Sequence, residues 1–420
     1  MSIEKQNSSL WKHSNFLKLW FGQTISMLGS QVTYIALPLT AVLILNATPV
    51  QMGAFQAVST APFFILGLFA GAWIDRVDRL PLLVYTNIAS VIILSFVPIL
   101  AWFNLLSIWL LYIVAFLSAA STMTFQLAYQ SFLPSIIKKE NLPEGNSKLE
   151  GSRTVTQVLG PSMAGVLIQL ITAPIAILVD IISFIISACF FSNIKVTESK
   201  PQIAKQNIWL QIFEGLKVII SNPFLRSISF STAILNFSRS AFEAVYLLFV
   251  VKTLSLNPAQ IGMVYGFGSM GSLLGAVIAN RIAKRFGIGA SIVGSCVLIG
   301  IGFSLVSFAS DSLFLSIPLL ILAQAFTGMG NTVYFINQVS LRQAITPNNL
   351  LGRVNASQIF ISRSAMPLGG VLGGIIGSCF GLRFSIAITS IFSFLAVLLL
   401  ISSPVRRVRI LQDLPLGEKK

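Results

Sequence analysis

About twelve runs of roughly 20 mainly apolar residues recur along the chain, each long enough to cross a bilayer as a helix. Hydrocarbon offers backbone N–H and C=O groups no water, so a spanning segment must satisfy them internally, and a helix does so. The runs place spans at about 16–44, 50–72, 82–103, 107–132, a fifth opening near Arg153, 173–192, 223–251, 258–280, 288–309, 312–341, 356–378 and 383–403. With 55% hydrophobic residues, 10% charged residues and 32 Phe, the composition is far too apolar for a soluble domain. The expected class is an all-α integral membrane protein.

The net charge of +15 could point to nucleic acid, but its distribution argues for a membrane. Of the 28 Lys and Arg, only Lys252 and Arg383 fall in connections on one side, and Arg239 and Arg363 lie inside spans. The remainder gather on the opposite side or at its helix ends. By the positive-inside rule both termini and the long central loop are expected in the cytoplasm. Such scattered charge forms no single basic face, so nucleic acid is not an expected partner. Cys189, Cys296 and Cys379 all lie in apolar spans and read as small buried hydrophobes. His13 sits in the polar tail and reads as solvated. A short polar leader before a long first apolar run does not fit a cleavable signal peptide.

The two halves of the chain repeat. Phe16-Leu17-Lys18 returns as Phe224-Leu225-Arg226, 208 residues later, and Asn141-Leu142 returns as Asn349-Leu350 at the same distance. Ser30-Gln31 falls on Ser238-Arg239, and Pro49-Val50-Gln51-Met52-Gly53 returns as Pro258-Ala259-Gln260-Ile261-Gly262, 209 residues on. An even number of spans per half keeps the repeats parallel. They therefore imply two six-helix bundles, 1–192 and 223–403, related by a pseudo-two-fold axis along the membrane normal. Between them, 193–222 is a polar linker whose Ile208, Ile212, Leu216 and Ile219 recur at helical spacing, as in an amphipathic helix on the inner membrane face. A basic cytoplasmic tail, 404–420, follows.

Two short motifs stand out. Gly71-x-x-x-Asp75-Arg76-x-x-Arg79 places charges between the second and third spans, where hydrocarbon cannot hold them. Gly160-Pro161-Ser162-Met163-Ala164-Gly165 puts a helix-bending proline among small residues in the fifth span. The first resembles the loop between helices 2 and 3 of the major facilitator superfamily. The second resembles the helix 5 motif of its drug:proton antiporters, with Ala164 in place of a glycine. Together with Asp180-x-x-Ser183-Phe184 and Gly352-Arg353-Val354, they make the chain similar to the twelve-span branch that holds macrolide-efflux proteins and enterobactin exporters. That resemblance implies a monomer in the bacterial plasma membrane, surrounded by lipid. It would export a small amphiphilic molecule (drug, macrolide-like compound or siderophore) by alternating access, driven by a proton gradient and no other cofactor. Uptake or lipid flipping is the alternative within the fold. A non-transporting sensor is the alternative outside it. Asp75, with Gly71, Arg76 and Arg79, is expected to latch onto the start of the eleventh helix at Arg353, where unpaired N–H groups attract a carboxylate.

No Gly-x-x-x-x-Gly-Lys-Ser/Thr loop, His/Cys cluster or sizeable extramembrane domain occurs, so neither an enzyme nor a built-in ATPase is expected. The chemistry must come from polar groups inside the spans. A charge at mid-bilayer costs about 2.5–3.5 kcal/mol on insertion scales and needs a partner or a wet cavity. Arg239 and Glu243 are four residues apart on the seventh span, hence on one face. Opposed by desolvation and supported by Arg239, the Glu243 carboxylate is expected to take and release a proton. Arg363 is expected to add positive field, and Asp180 is read as structural, with proton coupling as its other possible role. Helices 1, 4, 7 and 10 line the cavity in the resembled fold. The substrate candidates are Gln31, Tyr34, Gln126, Gln130, Gln157, Asn236, Gln324, Asn331, Tyr334 and Arg363.

Overall fold

The computed structural model describes residues 10–67, 77–196, 208–347 and 350–410. Twelve long helices follow one another: α1 (Ser14–Leu43), α2 (Pro49–Ile65), α3 (Arg79–Trp102), α4 (Ile108–Ile136), α5 (Leu142–Ile171), α6 (Ala173–Ser192), α7 (Pro223–Leu248), α8 (Pro258–Phe286), α9 (Ile288–Ser307), α10 (Leu313–Ile345), α11 (Leu351–Phe380) and α12 (Leu382–Ile401). Among the described residues, 11 helices are long and apolar enough to cross a membrane; α2, at 17 described residues, falls just short. The linker helix, Ile208–Ser221, lies between α6 and α7.

The repeat at Pro49 and Pro258 has a local cause. Thr48 and Gln51 form a capping box at the start of α2, with Thr48 N–H donating to Gln51 Oε1 at 2.8 Å. Asn257 and Gln260 do the same at α8, with Gln260 N–H donating to Asn257 Oδ1 at 2.9 Å. Each box satisfies otherwise orphaned helix-start N–H groups. A proline in the first turn costs no hydrogen bond there.

The two halves pack alike. In the first half α1 meets α5 and α6, α3 meets α4 and α6, and α2 meets α4. In the second half, α7 meets α11 and α12, α9 meets α10 and α12, and α8 meets α10. Between the halves, α2 packs on α11 and α5 on α8, two pairings that the pseudo-two-fold exchanges.

Helix ends differ from the apolar runs in several places. α5 starts at Leu142 rather than near Arg153, and α11 at Leu351 rather than 356. Hydropathy marks where hydrocarbon begins, not where a helix does. The polar turns before the apolar part of α5 carry their own ion pairs, Glu144–Lys148 at 3.2 Å and Glu150–Arg153. The linker helix turns part of its apolar surface to the bundle, while Phe213 and Ile220 stay exposed. Ile212 and Ile219 are buried, the latter with Leu225 and Val354, and Ser357 Oγ donates to the Ile212 carbonyl at 2.8 Å. Burial against the bundle flank takes the Ile212 and Ile219 side chains out of water.

The helix ends near residues 10 and 410 form one face of the molecule, here the terminal face; Val408 and Arg409 carbonyls accept from the first N–H groups of α9 there. At the opposite, distal face the halves touch backbone to backbone. A Cβ built on Gly165 of α5 would lie 2.7 Å from Gly262 Cα of α8, and one on Gly374 of α11 would lie 2.8 Å from Gly53 Cα of α2. Only residues without a Cβ allow this approach. Lys252 Nζ adds a bond across the halves to the Ala47 carbonyl at 3.2 Å. The distal end is closed.

Candidate functional site

Below the distal seam, a cavity of about 420 Å³ lies between the halves. α1 contributes Gln31 and Tyr34, α5 Gln157 and Pro161, α7 Arg239, Phe242 and Glu243, α8 Tyr265, and α10 Gln324 and Asn331. A second cavity of about 850 Å³ lies nearer the terminal face, lined mainly by the first half with Gln126, Gln130, Asn146, Glu150 and Arg153, and by Phe335 of α10. Gln31 and Gln157 line both, so the two cavities adjoin. Gly160 brings the Gln31 side chain this close to α5: a Cβ there would lie 2.7 Å from Gln31 Cβ.

Arg239 Nε donates to Glu243 Oε1 at 2.7 Å, as the one-turn spacing requires. The other carboxylate oxygen is held from across the interface, where Gln56 Nε2 of α2 donates to Glu243 Oε2 at 2.9 Å. The Arg239 and Glu243 side chains keep 48% and 25% of their surface accessible, so the pair is reachable. Around it stand aromatic rings: Tyr34 meets Tyr265 edge-on with centroids 6.5 Å apart, Tyr265 meets Tyr246 at 5.8 Å, and Phe242 stacks on Phe303 at 4.5 Å. Amides, one ion pair and ring faces suit a ligand with an apolar body and a few polar groups.

Seven of the sequence candidates thus meet in the first cavity: Gln31, Tyr34, Gln157, Arg239, Glu243, Gln324 and Asn331. Gln126 and Gln130 line the second. Asn236, Tyr334 and Arg363 line neither. Asn236 Nδ2 donates to the Ser362 carbonyl at 2.9 Å, tying α7 to α11. Tyr334 is buried between α10 and α7, its hydroxyl 2.8 Å from both Ser231 Oγ and Thr232 Oγ1. The Arg363 guanidinium lies over the Phe63 ring of α2, 4.9 Å from its centre. Helical periodicity says which side chains share a face but not which neighbour that face meets, and these three turn to helices rather than to the cavity.

Asp180 is 1% exposed and accepts from Thr33 Oγ1 and Ser30 Oγ of α1 and from Ser183 Oγ on its own helix. Gly71, Asp75 and Arg76 lie outside the described residues; Arg79 opens α3. Arg353 pairs with Glu214 of the linker helix at 2.6 Å. Gln56 and Tyr265 also meet at this site, although neither is among the sequence candidates. They stand 209 residues apart, at equivalent places in the two repeats, just as Gln31 and Arg239 do at 208. Extending the repeat from the Pro49 and Pro258 anchors into the helices would have found them.

The model of the transmembrane secretion effector family, a group of major facilitator transporters, matches residues 8–416. The chain belongs to that family. Among its relatives is the multidrug efflux pump Tap of Mycolicibacterium fortuitum, 22% identical over 372 residues, covering 86% of this chain and 88% of Tap. The putative bacilysin exporter BacE of Bacillus subtilis is 26% identical over 274 residues, 63% of this chain and 65% of BacE. In fold, this secretion effector is similar to a bacterial homologue of the iron transporter ferroportin. Its inward-facing crystal structure superposes with a TM-score of 0.72 at 19% identity, covering 94% of this chain and 98% of that one. The outward-facing state of the ferroportin homologue superposes less well, at 0.59.

Proposed function

We propose that this transporter is a secondary active exporter. It carries a small amphiphilic molecule from the cytoplasm by alternating access and exchanges it for a proton held at Glu243. The observation that carries the reading is the paired cavity. Its walls come from both halves, its polar groups are amides, hydroxyls and the Arg239–Glu243 and Arg153–Glu150 ion pairs, and the glycine seam bars it from the distal side. Alternation needs a site that both halves build, and this one qualifies. The terminal face is the cytoplasmic one in this reading, by the charge distribution along the chain. The structure then corresponds to the inward-facing state, ready to load. Tap and BacE support export as the direction, and the plasma membrane of a bacterium as the setting. The chain works as a monomer and requires the proton gradient alone.

Glu243 is the group in the cavity suited to the proton. Both halves hold its carboxylate, Arg239 Nε donating to one oxygen and Gln56 Nε2 of α2 to the other. The test is transport by inverted vesicles holding the full chain, with dye-like cations and macrolides as probes. Uptake should require an acid-inside gradient and be lost in Glu243→Gln, while gradient-independent exchange of preloaded probe survives. Gradient-driven uptake that persists in Glu243→Gln removes Glu243 as the coupling group. Movement only in the opposite direction would favour the importer.

A further inference from the structure

Gln56 deserves a role of its own, because it joins Glu243 from the other half of the molecule. It sits one turn along α2 from Gly53, and a Cβ built on Gly370 would lie 3.2 Å from Gln56 Cβ and 3.1 Å from the Gly53 carbonyl. The bond to Glu243 therefore lies directly under the glycine seam on the α2–α11 side. Anything that weakens it acts on the distal closure itself.

A hydrogen bond to an ionised carboxylate is about twice as strong as one to a neutral acceptor. With Glu243 ionised and the cavity empty, Gln56 and Arg239 occupy both oxygens and the distal end is held shut. A proton on Glu243 weakens the Gln56 bond. A substrate N–H or cation that binds the carboxylate displaces the amide altogether. Resting on the reading of Glu243 as the proton site, we propose that Gln56 is a positioning residue that locks the empty, ionised carrier. Either cargo releases the lock, and only the unloaded form is prevented from opening distally. An exchanger needs that asymmetry, since a carrier that returns empty dissipates its gradient. The same geometry gives the substrate class: a molecule with a cationic or N–H-donating group on an aromatic-compatible body.

The groups facing Glu243 are few. Arg239 shares its helix, Tyr34 comes from α1 and Tyr265 from α8, and α10 offers the neutral Gln324 to the same cavity. The described part of α2 holds no charged residue. On α11, Arg363 is near enough to repel Arg239, while Arg383 of α12 is turned to the Ala309 carbonyl. Tyrosine and arginine stay protonated below about pH 9, which leaves Glu243 as the carboxylate of the group.

The test uses the full chain in lipid nanodiscs without substrate. Its three cysteines are replaced by serine, and spin labels sit at Leu105 and Ser312, exposed positions on the distal rim of the two halves. In the parent chain, lowering the pH from about 7 to about 3.5, through the ordinary carboxylate range, should raise the ratio of long to short distances about tenfold, the difference between a charge-assisted and a neutral bond. Gln56→Met, similar in size but without a donor, should leave the long distance abundant at every pH. Gln56→Glu should invert the response, because two carboxylates repel when ionised and share a proton when acidified. A Gln56→Met chain with the parent's pH response overturns the lock. So does a Gln56→Glu chain that opens on acidification, which decides the matter if the Met variant is too unstable to purify. A parent chain whose distances ignore pH also overturns it. An unchanged response in Glu243→Gln instead removes the proton-site reading beneath it, so the two failures are distinguishable.

Discussion

Gly165 of α5 and Gly262 of α8 meet with no side chain between them: a Cβ on either would stand 2.7 Å from the other's Cα. Their repeat partners, Gly374 and Gly53, meet in the same way on the other side of the pseudo-two-fold, with built-Cβ distances of 2.8 and 2.9 Å. The proline motif of the fifth span thus acts where it touches the other half. The Gly262 Cβ position also falls on the Pro161 carbonyl, and Ser162 Oγ donates to the Gly262 carbonyl at 3.3 Å.

Gly165→Ala should therefore prevent full distal closure. Overpacking of this kind costs about 1–3 kcal/mol, which moves the balance of states roughly tenfold toward distal opening. The distance between labels at Leu105 and Ser312 reads it directly. Gly151→Ala is the control, because nothing stands within 4 Å of its Cβ position, and it should leave both closure and transport unchanged. Equal behaviour of the two variants would rule out the seam as the closing element.

Asp180 is surrounded by hydroxyls that can donate or accept, so Asp180→Asn should keep its partners on α1 and α6. Expression and gradient-driven transport are expected within about twofold of the parent. Asp180→Leu removes the acceptor shared by Ser30, Thr33 and Ser183 and should lower the yield of folded protein. Loss of coupling in the Asn variant with normal folding would make Asp180 a proton-carrying residue instead.

The linker helix is held chiefly by apolar burial. Ile219 is fully buried, whereas Glu214 and Arg353 keep 43% and 32% of their side-chain surface exposed. Ile219→Ala should cost about 2–4 kcal/mol of docking and speed hydrogen exchange through Ile208–Ser221. Glu214→Gln should cost under about 1 kcal/mol and change exchange little. The reverse order would mean that the ion pair, not the apolar face, fastens the helix.

Tyr334→Phe removes a hydroxyl that sits 2.8 Å from both Ser231 and Thr232. A loss of about 1–2 kcal/mol in thermal stability is expected. Affinity for transported probes should stay at the parent value, because the ring lines neither cavity. Weakened affinity at unchanged stability would return Tyr334 to the substrate site.

The sequence alone determined the solvent, the number and rough position of the spans, and the relation between the halves. Those properties are additive along the chain: about 20 apolar residues cross hydrocarbon wherever they pack, and a capping box at Pro49 or Pro258 starts a helix from within four residues. It also placed Arg239 and Glu243 on one face, because their contact is made within one helix. Tertiary structure decided which polar faces meet across helices. Gln56 gains its meaning only when α2 lies against α7, and Tyr334 loses its place in the cavity because α7 offers it two hydroxyls. Gly165 becomes part of a closing seam only opposite Gly262. Each of these depends on rotations and offsets of whole helices, which arise from the summed packing of many side chains and are not a property of any one segment.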